Sequence, residues 1–138
     1  MTIEVNWFSV LAAAVSSMVV GSIWYAKPVF GTIWQKQVKL TDAQMKKGAT
    51  KALTGAFLLA IIAAYVLAHV TQLSQAFFGY TPVVAALSTA FWLWLGISMT
   101  TIVIHALFEQ RNTTLTILHV ANQLVTMLVM GLVIGLLQ

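Results

Sequence analysis

KPVFGTIWQKQVKLTDAQMKKGATK, residues 27–51, contains all six lysines of the chain, and Arg111 is the only arginine. The sequence on either side of this segment is apolar. Four long stretches, about 5–26, 50–71, 83–108 and 113–137, each approach or exceed the ~20 residues that an α-helix needs to cross a hydrocarbon core. With four crossings, residues 27–51 and the short connection around Arg111 lie on one face. The opposite face receives both ends of the chain and the connection 71–82, none of which carries Lys or Arg. Short loops rich in positive charge stay cytoplasmic, so both termini are expected outside. The expected fold is an all-α integral membrane protein, a single domain over residues 1–138 with four transmembrane helices in a bundle.

Composition agrees with this reading. Of the residues, 60% are hydrophobic and 7% charged, which leaves too little charge to cover a soluble domain of 138 residues. Six lysines beside a predicted membrane point to anionic lipid headgroups rather than nucleic acid, and membrane topology alone is enough to explain them. There is no cysteine, which removes disulfides, thiolate chemistry and Cys-based metal sites. Glu4 and the lack of Lys or Arg before the first apolar run are unlike a signal-peptide n-region, so the first helix is expected to remain.

Within the basic loop, Pro28 should end or bend the first helix near Ala26 or Lys27. Trp24, Tyr25 and Trp34 have the character of an interfacial aromatic belt. Phe30, Ile33, Trp34 and Val38 fall on one face of a short helix, while Lys36 and Lys39 can face water. This predicts a short interfacial amphipathic segment. Thr41-Asp42-Ala43-Gln44 has the form of a capping box, so the second helix is expected to start as a Lys-rich stem at Asp42. Trp92 and Trp94, deep in the third span, are expected to pack on protein or line a cavity. Gly131 and Gly135 form a GxxxG pair suited to a close helix crossing.

Polar side chains recur on the last two helices. Ser98, Thr101, His105 and Glu109 step by three, four and four. Asn112, Thr116, His119, Gln123 and Thr126 step by four, three, four and three, with Asn122 beside them. Each series holds to one helical face. His105 and His119 are each seven residues from Asn112, roughly 10 Å from the turn, where a tight hairpin would set them face to face. Ionisable residues inside a membrane raise the expectation of a functional site. The plainer reading is interhelical hydrogen-bond glue, at about 0.6 kcal/mol per bond. Two histidines do not make a metal site, no cofactor is called for, and Glu109 and Arg111 are expected to stay at the interface. No Asp, Glu, Lys or Arg lies within 5–25 or 114–138, so the midplane carboxylate of an ion-coupled transporter is missing. An enzyme is the least favoured class.

Asn6-Trp7, Gly21-Ser22-Ile23-Trp24-Tyr25, Phe30-Gly31 with Trp34, Ala64-Tyr65-Val66-Leu67-Ala68-His69, Phe108-Glu109-Gln110-Arg111 and Met130-Gly131 together resemble the small bacterial four-helix membrane family catalogued as domain of unknown function 1761. The resemblance spans essentially the whole chain. It implies four spans in a bacterial membrane, and no reaction, ligand or catalytic residue comes with it; with the lysine distribution, the expected location is the inner membrane with periplasmic termini.

Two functions are expected to compete. In the first, an oligomer forms a small-solute or ion pathway lined by Ser98, Thr101, His105, Thr116, His119, Asn122 and Gln123. In the second, a non-transporting scaffold or lipid-interaction protein uses the same residues only to hold helices together, with Trp24, Tyr25, Phe30, Trp34, Lys36 and Lys39 meeting lipid. The expected partners are membrane lipids, further copies of the chain and a small solute, with no nucleic acid.

Overall fold

The computed structural model describes residues 3–138, and every regular element among them is helical. Helix α1 is Trp7–Trp24. A π turn, Lys27–Gly31, leads into the short α2, Thr32–Val38. Helix α3 runs from Asp42 to Phe78, α4 is Pro82–Phe108 and α5 is Thr113–Leu137. Helices α1, α3, α4 and α5 are each long and apolar enough to cross a membrane.

Local chemistry sets the helix ends. The Asn6 side chain accepts from the backbone of Phe8 and Ser9 and starts α1. Ala26 leaves the helix in an extended conformation, and Pro28 occupies the first turn of the π element, where its missing N–H costs nothing. The chain then doubles back so tightly that a Cβ on Gly31 would lie 2.7 Å from the Ala26 carbonyl carbon. The capping box forms as expected: the Gln44 N–H donates to Thr41 Oγ1 at 3.2 Å, and the Thr41 N–H donates to Gln44 Oε1 at 2.9 Å. Asn112 caps α5 by accepting from Thr114 at 2.8 Å.

One boundary differs from the sequence reading. Residues 71–82 were expected to be a loop, yet α3 continues to Phe78 and only three residues connect it to α4. Nothing in Gln72–Phe78 breaks a helix. Gly79, at φ +67°, is the first residue that accepts the left-handed turn and ends it.

Two bonds close the end of the bundle that holds both chain termini. Asn6 Nδ2 donates to the Leu137 carbonyl at 2.9 Å, and Gln72 donates to the Glu4 carbonyl. The lysine-rich residues 27–51 and the Glu109–Arg111 ion pair lie at the other end. The core gathers Val10 and Ala13 of α1, Ala64, Leu67 and Ala68 of α3, Ala90 and Trp94 of α4, and Met127, Met130 and Ile134 of α5. Lipid tails are as apolar as these side chains, so close packing of small residues, rather than escape from water, holds the seam. The GxxxG pair serves this seam within the chain. Cβ atoms on Gly131 and Gly135 would fall 3.0 Å from Ala86 O and 2.7 Å from Val83 Cα, both on α4. Much of the outer circumference is apolar: Phe8, Leu11, Val15, Val19 and Ile23 form an exposed stripe on α1, and Leu58, Leu59, Ile62 and Val66 do so on α3.

Trp94 is buried as expected, and its indole N–H donates to the Val120 carbonyl of α5 at 3.1 Å. Trp92 is 64% exposed and lines a hollow between α3 and α4. The π-helical stretch Trp94–Met99 interrupts α4 just beyond. A π turn inserts about one residue, which turns everything downstream by roughly 100° relative to an unbroken α-helix.

A candidate site between three helices

A cleft of about 720 Å³ lies between α1, α3 and α5, in the half of the bundle nearer the lysine-rich end. Helix α1 contributes Ser17, Gly21, Ser22 and Tyr25, and α5 contributes Asn122, Gln123 and Thr126. The third wall is apolar, formed by Leu53, Ala56, Leu59, Ala60 and Ala63 of α3. Met127 and Met130 line the deeper part on α5, towards the chain termini, and Met18 lies beside Ser17 on α1. Beyond them the fully buried Val10, Ala13, Ala14, Ala64, Leu67 and Ile134 close the passage. The cleft is therefore polar on two sides, apolar on the third and blind at its far end.

The shape follows from the sequence of α3. Its inner face steps through alanines at 56, 60 and 63, which leave room that larger side chains would fill. Helix α3 packs mainly on α1 and α4, so the space between α3 and α5 stays open in this half.

Tyr25 Oη and His119 Nδ1 are 3.1 Å apart at the lysine-rich side of the cleft. Trp34 of α2 packs on the other side of the tyrosine with ring centroids 5.3 Å apart, so α2 braces the pair. Ser17 donates back to the Ala14 carbonyl at 2.7 Å and Ser22 to the Met18 carbonyl at 2.8 Å. Their donors are satisfied inside α1, and each oxygen keeps acceptor capacity. Asn122 differs: its Nδ2 is buried and has no hydrogen-bond partner among the described residues. An amide donor held out of water without a partner costs about 1–3 kcal/mol.

The seven candidate pathway residues divide into two sets. His119, Asn122 and Gln123 come together at the cleft. Ser98, Thr101, His105 and Thr116 do not join them. Ser98 sits half-buried in the π stretch, and Thr101 and His105 are exposed on α4. The Thr116 hydroxyl donates to the Asn112 carbonyl at 3.2 Å. The expected meeting of His105 with His119 does not occur. Tyr25 of α1 takes His119, and the α4 stripe faces outward beyond the π turn. No group of three His, Cys, Asp or Glu able to hold a metal occurs among the described residues.

The expected interfacial residues cluster at the lysine-rich end. Trp24 packs on Phe30 with centroids 4.6 Å apart, Tyr25 packs on Trp34, and Lys36 and Lys39 are exposed. Sequence reasoning missed the α1 wall of the cleft. Tyr25 reads in sequence as a belt residue, and Ser17, Gly21 and Ser22 are not among the candidate site residues; the Ser17, Gly21, Tyr25 spacing of four and four on one helical face was the available signal. Near the chain termini, a second hollow of about 700 Å³ lies between α3 and α4. Phe77, Tyr80 and Trp92 line it, and no charged residue does.

A family model described as protein of unknown function, DUF1761, matches residues 8–135. The chain belongs to that family. No curated protein and no solved structure matches it. The match takes in all three helices that build the cleft in this DUF1761 member, from Ser17 on α1 to Met130 on α5.

Proposed function

We propose that this DUF1761 protein is a bacterial inner-membrane protein with periplasmic termini whose cleft forms the cytoplasmic half of a small-solute pathway. The observation that carries the reading is the partnerless Asn122 amide in a cleft with hydroxyls on α1 and a Tyr25–His119 pair. Helix glue needs its polar groups mated across a seam; here Ser17 and Ser22 bond only within α1, and Asn122 Nδ2 is unmated. The orientation rests on the lysines at 27–51, and α2 lies along the interface with Lys36 and Lys39 in water. The closed terminal half makes the protomer a half-pathway, completed by movement of α3 or by a second copy. Self-association is supported by Thr101 and His105, exposed on α4 where a polar stripe facing lipid would be unfavourable.

The chain lacks cysteine, so single replacements report without background. Gln123→Cys and Thr126→Cys should react with a membrane-impermeant maleimide added from the lysine-rich side of proteoliposomes, and lipid-facing Leu132→Cys should not. Equal, low reactivity at all three positions would sink the pathway.

The scaffold reading draws support from the Tyr25–His119 bond, which ties α1 to α5. A double-mutant cycle with Tyr25→Phe and His119→Leu should give a coupling near 0.6 kcal/mol, and at most about 1.7, in detergent unfolding. Intact accessibility at Thr126 in both single mutants separates the pathway from glue. Loss of accessibility together with stability favours the scaffold.

A further inference from the structure

We infer that the occupant of the cleft is a single-chain amphiphile with an anionic head, a carboxylate or a phosphate monoester, whose tail points towards the chain termini. The inference rests on the proposed function and names the class of solute. Polarity along the cleft is graded. Tyr25, Ser22, Asn122 and Gln123 lie towards the lysine-rich end, Ser17, Met18, Thr126 and Met127 at middle depth, and Met130 nearest the blind end. The facing wall, Leu53 to Ala63 on α3, offers no polar atom other than backbone over about 15 Å. A uniformly polar solute would leave that wall and the methionines unmatched, and a pure hydrocarbon would leave the Ser22, Tyr25 and Gln123 side of the cleft unmatched. A molecule with one polar end and one flexible apolar chain satisfies both. Methionine is suited to a chain of variable length, since its unbranched side chain repacks easily.

The sign of the head follows from the charge around it. All seven Lys and Arg lie at this end of the bundle, against only Asp42 and Glu109, with Glu4 at the other end. Lys46 continues the cleft face of α3: Lys46, Ala49, Leu53, Ala56, Ala60 and Ala63 step by three and four, and Lys46 is exposed two turns beyond Leu53. Its four-carbon stem can follow the apolar face while the ammonium turns towards an anion at Tyr25. About 720 Å³ suits one chain, and the weak α3–α5 contact provides a lateral entrance from the inner leaflet.

The test uses the full chain in phosphatidylcholine nanodiscs with a dodecanoate carrying a terminal diazirine, and crosslinks mapped by mass spectrometry. Labelling is expected at Ala63, Met127 and Met130, in excess over lipid-facing Leu58, Ile62 and Val66. Dodecanoate and dodecyl phosphate should compete at least tenfold better than dodecanol or dodecyltrimethylammonium. Ala60→Phe, which fills the cleft from its apolar wall, should reduce labelling at least tenfold. Lys46→Gln, on an exposed side chain that does not threaten folding, should weaken competition by dodecanoate about fivefold and leave dodecanol unchanged. Labelling spread evenly over the lipid-facing residues, or dodecanol competing as well as dodecanoate, overturns the inference. Suppression by phosphatidylglycerol nanodiscs assigns the cleft to a two-chain bilayer lipid and also overturns it. Maleimide reactivity at Thr126→Cys that persists through such a failure leaves the pathway standing with another solute.

Discussion

Gly135→Ala tests where the GxxxG face is used. The new Cβ would lie 2.7 Å from Val83 Cα, 3.0 Å from Pro82 O and 3.1 Å from Val83 N. All three are backbone atoms at the start of α4, so no flexible side chain can swing aside and the whole helix end must move. Forcing a methyl group into such a seam costs about 1–3 kcal/mol. Alanine returns up to about 1 kcal/mol through its better helix propensity, leaving a net loss of up to roughly 2 kcal/mol. Gly55→Ala is the control, since its Cβ meets nothing within 4 Å and only the propensity gain applies. The two variants should therefore move in opposite directions when unfolding is followed by circular dichroism in one detergent series. Crosslinking in nanodiscs is the companion assay, and Gly135→Ala should leave the oligomer distribution unchanged. A variant that unfolds like the parent but loses its oligomer would refute the intramolecular crossing and place the motif between copies.

Trp94→Phe removes the indole donor to Val120 O while keeping most of the ring, and should destabilise by about 0.5–1.5 kcal/mol in the same unfolding assay; no change would mean that the bond does not clamp α4 to α5. Thr41→Ala breaks the capping box at the far end of α3. It should raise amide exchange over Asp42–Met45 by an amount corresponding to about 0.5–2 kcal/mol, with global unfolding unaltered, because Asp42 and Gln44 are exposed and far from the core. Exchange that is unchanged there, or raised throughout α3, would refute the cap as a local fastener.

The four spans, the Asp42 start of α3 and the end of α1 before Pro28 were legible because each depends on local properties: a run of apolar residues, a Thr-x-x-Gln box, a proline. The end of α3 was misread because the long apolar run stops near residue 71, whereas helix termination needs a residue that can turn, and Gly79 is the first. The polar stripe of α5 was legible as well, since α5 is an unbroken helix and His119, Asn122, Gln123 and Thr126 keep their spacing. The α4 stripe failed as a partner for it because a count back from Asn112 fixes depth and not rotation, and Thr101 and His105 lie on the exposed side of α4. No local rule reports the choice of neighbour. Whether His119 meets His105 or Tyr25 depends on how four rods pack, and that is decided by alanines and glycines spread over the whole chain.

Helix α3 has no break between Asp42 and Phe78. At 37 residues it is about 55 Å long, well beyond the ~30 Å of a hydrocarbon core. The lysine-bearing stem and the alanine wall of the cleft are thus two parts of a single stiff rod. A force applied to Lys46 or Lys47 outside the bilayer is delivered to Ala56 and Ala60 inside it, with the buried Leu67–Ala68–Thr71 packing as the fulcrum. The width of the space facing Gln123 is geared to whatever grips the stem.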